Sequence, residues 1–207
     1  MLFTEHGLFG NDSSSNKNGW YVAMDEVSMN WFDEVRISLK RGNQILFAKD
    51  SELLEDLQDL IALQERRVVV LWALDFADES ACVLQSRYPY DPRPRESVNA
   101  ARAWAAGEIK MRQAQQRILA CHAFAKEIEK KEDIALCHAV GQACSVVHTA
   151  KHALGYPMYD LTALVHRHGI DECVSYIDAR RQEYIDRLLH WRNHIDDYKG
   201  SWASFLR

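Results

Sequence analysis

The chain has 207 residues, 25 basic and 30 acidic, for a formal net charge of −5. That length suits one domain with a sizeable core, or a domain plus an appendage, and the acidic balance disfavours nucleic acid as a primary partner. The first ten residues, MLFTEHGLFG, carry an acid, no Lys or Arg and no long apolar core, so no signal peptide is expected. Five cysteines, none in CxxC spacing, sit mostly in apolar contexts and predict a reducing, cytoplasmic setting.

Residues 11–19, NDSSSNKNG, form a polar loop too poor in apolar side chains to pack. Residues 1–48 read as an N-terminal extension. Glu34–Leu39 alternates polar with apolar and Gln44–Ala48 follows Lys-Arg-Gly-Asn, which predicts a small β-hairpin turning at Arg41–Asn43. Tyr21–Phe32 reads equally as a short helix.

From Asp50 the pattern is helical, and residues 49–195 read as the helical domain. Asp50 or Ser51 can cap a helix with Leu53, Leu57, Leu60 and Ile61 on one face. Arg66–Arg87 runs on without a breaker, so its length favours a buried helix over a strand. Asp91 is a suitable N-cap for the next helix, with Pro92 and Pro94 in a first turn whose N–H groups lack helical partners anyway, and Gly107 near its end. Met111–Glu129 follows, and the charged run Glu127–Asp133 reads as a solvated turn. Leu161–His168 is a short helix closed by Gly169. Asp171 caps a last helix bearing Cys173, Ile177, Tyr184, Leu188 and Trp191 on one side. Residues 196–207 form a tail whose Trp202 and Phe205 are expected to dock on the body.

The central element is Ile134–Leu154, IALCHAVGQACSVVHTAKHAL, whose only formal charge is Lys151. At about 100° per residue, His138, Gly141, Ser145, His148 and His152 share one stripe, while Ala, Val, Leu and Cys cover the rest. The expectation is an all-α bundle around this buried helix, ended by Gly155 and Pro157. Its polar residues argue against a membrane span. Cys121-His-Ala recurs as Cys137-His-Ala across the turn, so an antiparallel hairpin would set His122 and His138 level.

Two chemistries are open to these residues. His122, His138, His148 and His152 could hold Zn or Fe, as a metal- or small-ligand-binding enzyme would require, but no HExxH is present and Lys151 opposes a cation. Otherwise the histidines satisfy one another structurally, and no cofactor is needed. Asp75, Asp78 and Glu79 are candidate acids, with Arg93, Arg95 and Arg102 as candidate fold-locking partners. Ser145 lacks a GxSxG elbow, and adjacent Cys-His pairs diverge on a helix, so no nucleophile is indicated.

Asp91-Pro-Arg-Pro-Arg, Trp104 with Gly107-Glu108, Cys121-His-Ala-Phe-Ala, and Gly141-Gln-Ala followed by His148-x-x-x-His152-Ala-Leu-Gly together resemble the bacterial Imm-5-like putative immunity proteins. The likeness runs from about Glu52 to Trp191. It implies an all-α protein that binds and neutralises a cognate toxin, and it assigns no catalytic residues. Tyr88, Tyr90, Arg93, Arg95 and Trp202 are the candidate partner-binding residues, because they combine aromatics with charge. Neither nucleic acid nor membrane is expected as a partner, and the oligomeric state stays open.

Overall fold

The computed structural model describes residues 30–207. Eight α-helices and three short 3₁₀ turns, with no strand, make up the described residues. None of these helices is long and apolar enough to cross a membrane.

The first helix, α1 (Trp31–Lys40), starts where the Asn30 side chain accepts a hydrogen bond from the Phe32 amide at 3.2 Å. It occupies the first strand of the expected hairpin. The turn at Arg41–Asn43 exists, but it ends a helix: Gly42 has φ +70° there, and residues 44–48 run on as loop. Val35, Leu46 and Phe47 are buried in the same core as the later helices, so alternation over Glu34–Leu39 marks a half-buried helix. The suggested helix over Tyr21–Phe32 lies almost wholly outside the described residues.

Next, α2 (Glu52–Ala62) buries Leu53, Leu54, Leu57 and Ile61. Ser51 is at its N-cap without a side-chain capping bond, and Leu60 is half-buried. In α3 (Arg66–Arg87), Val68–Leu74 are all buried and Phe76 is inaccessible, consistent with a helix packed on several sides. α4 (Arg93–Ala106) begins after Pro92, with Pro94 in its first turn. Asp91 accepts from the Arg93 amide at 3.0 Å. The helix ends at Gly107, whose φ of +82° sits against the Ala203 backbone of the docked tail. α5 (Met111–Phe124) and α6 (Lys131–Ser145) then form the expected hairpin.

α6 is the hub, packing on α3, α4, α5 and α7. It is not the single rod expected over 134–154. The helix stops at Ser145, the chain turns through the buried Val146 and Val147, and a 3₁₀ turn (Ala150–His152) leads into α7 (Gly155–His168). Three local causes are visible. Ser145 Oγ bonds back to the Gly141 carbonyl at 2.8 Å, an arrangement that bends helices. Thr149 is extended, with φ −154°, and its hydroxyl accepts from the Lys151 amide. The Arg66 guanidinium satisfies the freed carbonyls of Val147 and His148 at 2.7 and 2.5 Å. Gly155 and Pro157 therefore open α7 instead of closing the hub. Pro157 is tolerated because first-turn amides have no partner.

α8 (Val174–His194) packs on α2, α3 and α7, burying Ile177, Tyr184 and Leu188. Its N-cap is Cys173, not Asp171; that carboxylate pairs with Arg36 of α1 at 2.9 Å. The tail does dock: the Ala203 amide donates to the Ala105 carbonyl, Leu206 is buried, and Phe205 lies against Trp104. All five cysteines are free thiols, four of them buried.

Candidate functional site: a cleft beside the histidine pair

His122 and His138 meet as the hairpin geometry requires, with their Nδ1 atoms 2.8 Å apart. Such a contact needs one donor and one acceptor, so a single proton lies between them. The Gln44 amide nitrogen, 2.7 Å from His138 Nε2, settles which ring donates. An N–H can only donate, so His138 Nε2 accepts, its Nδ1 carries the proton, and His122 Nδ1 receives it. His152 Nδ1 lies 3.1 Å from the Gln142 carbonyl oxygen, which can only accept, so that ring is protonated at Nδ1 and keeps Nε2 as an acceptor.

Two glycines make room for this arrangement. A Cβ on Gly141 would overlap the His122 imidazole, and one on Gly155 would meet the Gln142 side chain. Burial lowers the His122 pKa to about 4, helped by repulsion from His138 and His152. His138 is lowered by burial and then by Lys126, and His152 by burial and then by His148. Burial therefore favours the neutral form of all three rings.

Of the four histidines, His122, His148 and His152 line one cleft of about 270 Å³, while His138 stands behind His122. Gln115, Gln142 and Ser145 supply its other polar groups; Trp104, Met111, Ile118 and Leu119 supply the apolar ones. His148 stacks on Trp104, with centroids 6.2 Å apart. The i,i+4 spacing of His148 and His152 falls after the break at Ser145 and does not create a shared helical face. Among the described residues, no group of three or more His, Cys, Asp or Glu side chains is arranged to hold a metal ion.

The carboxylates on α3 are tied into the fold. Asp75 accepts from the Trp191 indole at 2.6 Å and lies 3.6 Å from Arg102, burial raising its pKa. Asp78 pairs with Arg95 and Arg102, and Glu79 with Arg180 and Arg187. Arg93 turns away from this group to Asp91 and Glu127.

The proposed partner residues fare unequally. Tyr88 donates its hydroxyl to Asp133 at 2.8 Å, and Arg93 and Arg95 are engaged as above. Trp202 is half-buried against Tyr198, whereas Tyr90 is 98% exposed.

Two polar networks escaped the sequence reading. Glu132 and Asp133, placed in a solvated run, are only 3% and 1% exposed. Burial raises the Glu132 pKa, but hydrogen bonds from Lys130, Arg87 and Arg167 outweigh it and bring it down to about 2. Asp160 accepts from Arg180 at 2.7 Å and from the Tyr184 hydroxyl at 2.6 Å, with Tyr156 and Ser80 alongside. Neither cluster has a sequence signal, because each draws its partners from three different helices.

Several of the residues that carry the family resemblance thus converge: Trp104, His122, Gln142, His148 and His152 line the cleft, and Gly141 and Gly155 shape it, while Asp91, Arg93 and Arg95 lie elsewhere in ion pairs. A family model described as Imm-5 like putative immunity protein matches residues 59–189. The chain belongs to that family. No curated protein and no solved structure matches it. The family span contains every residue lining the cleft, whereas α1 and the tail with Phe205 lie outside it.

Proposed function

We propose that this protein is an immunity protein that binds a cognate bacterial toxin and neutralises it by occupying its surface. The observation carrying this reading is that several of the residues behind the family resemblance meet at one cleft whose lip exposes large apolar side chains. Leu119 is 59% exposed and Met111 47%, both on α5, and Phe205 beside Trp104 is 44% exposed. Apolar side chains grouped on an open rim favour a protein partner. The charged groups of α3, α4, α6 and α8 pair with one another, so the bundle acts as a rigid support and the cleft lip as the contact. Tyr90, free on the α3–α4 loop, offers a second contact.

Co-expression with the product of the neighbouring reading frame tests this. The reading expects growth arrest by that product alone, rescue by the intact chain, and loss of rescue with Leu119→Asp. A product that is harmless alone, or whose toxicity the chain leaves unchanged, contradicts it.

A further inference from the structure

We infer that the cleft between α4, α5 and the α6–α7 elbow is an anchor pocket for one neutral aromatic side chain carrying a hydrogen-bond donor, a tyrosine or tryptophan of the partner protein. This inference rests on the immunity reading and specifies what the partner inserts.

Size limits the guest first. At about 270 Å³ the cleft lies at the small end of ligand sites, which run from roughly 300 to 1,000 Å³. It matches a single large side chain. Charge limits it next. None of the cleft's lining residues is Lys, Arg, Asp or Glu. The other principal clefts differ sharply: one is lined by Glu79, Asp160, Arg167 and Arg180, another by Glu34, Asp50, Glu52 and Glu55. A charged guest would lose its water here without gaining a counter-ion, which is costly.

The walls then select the chemistry. His148 is exposed at the cleft and its ring lies nearly parallel to the buried Trp104 indole, 6.2 Å away in centroid distance, so it offers an imidazole backed by an aromatic wall to another ring. Met111 contributes a thioether, which packs well against aromatic rings. His152, in the same lining, keeps Nε2 as a lone-pair acceptor because its Nδ1–H is committed to Gln142. A phenol O–H or an indole N–H supplies the matching donor; a purely hydrocarbon ring does not. Tyrosine and tryptophan are also the side chains most often found as buried anchors at protein interfaces.

The test uses the full-length chain and p-cresol as the probe, followed by NMR of the histidine rings and the Leu119 methyls. Saturable shifts at His152 and Leu119 are expected, with toluene binding roughly fivefold more weakly for want of one hydrogen bond. The charged analogues p-toluate and p-methylbenzylamine are expected to bind more weakly still. His152→Leu should reduce p-cresol to the level of toluene; Leu119→Asp, at an exposed position that leaves folding intact, should weaken both. Absence of saturable shifts, equal binding of toluene and p-cresol, tighter binding of a charged analogue, or indifference to both substitutions would overturn the inference. A chain that rescues growth yet takes no p-cresol would refute the anchor and leave the immunity reading standing.

Discussion

Gly141 is a position where one added methyl group reaches the histidine pair. Its Cβ would fall on the His122 imidazole, so Gly141→Ala must expel the ring and break the His122–His138 contact. We expect a cost of about 1–3 kcal/mol, as for overpacking, visible as a lower denaturation midpoint with displaced histidine resonances. An unchanged midpoint and unshifted rings would mean that His122 does not pack on α6. The same imidazole sets a pH dependence. Its folded pKa, about 4, lies below the ordinary 6.5, so the unfolded chain takes up protons first as pH falls. Stability should therefore drop between pH 6.5 and 4, and His122→Phe should flatten that slope. Glu132 acts in a lower window: depressed from 4.5 to about 2, it stabilises above pH 4.5 and loses that contribution as pH falls towards 2. Glu132→Gln should cost about 2–3 kcal/mol at pH 7, because Arg87 and Arg167 lose their shared acceptor; a cost near zero in urea melts would contradict this. At this scale the sequence was partly legible. Equal distances from the α5–α6 turn placed His122 and His138 level, but a lysine–glutamate run gives no sign that Arg87 and Arg167 will bury its last two acids.

Among the elements, α3 and α8 were legible from apolar spacing and the absence of breakers. The hub was misjudged at one end, since Val146–His152 contains no Gly or Pro and its turn is made by side chains. The Ser145 hydroxyl, the Thr149 cap and an arginine eighty-one residues distant from Val147 share that work. Alternation over Glu34–Leu39 misled for the opposite reason: six residues are too few to separate a period of 2 from a half-buried helix face. If Arg66 holds the elbow, Arg66→Met should speed amide exchange at His148, His152 and Ala153 at least tenfold, while amides within α6 stay protected. Equal protection in both proteins would place the cause of the break elsewhere.

For the whole molecule, fold class follows from sequence more readily than partner face. Burying apolar stripes constrains the bundle at every helix, whereas a contact surface is constrained only by a partner absent from the chain's own chemistry. The five partner residues picked from composition illustrate this: Tyr88, Arg93 and Arg95 turned out to be engaged internally, and Tyr90 alone among them is fully exposed. The proposed contact, the cleft lip, draws on α5, the elbow and the tail; sequence reading grouped the histidines of the first two but gave no sign that Leu119, Met111 and Phe205 would stand exposed beside them. Its role is tested most directly by calorimetric titration of the intact chain with the product of the neighbouring reading frame, beside Leu119→Asp and Tyr90→Ala. Tight binding that Leu119→Asp weakens at least tenfold, and more than Tyr90→Ala does, is the predicted result; no binding at micromolar concentrations, or an affinity indifferent to Leu119, would contradict the account.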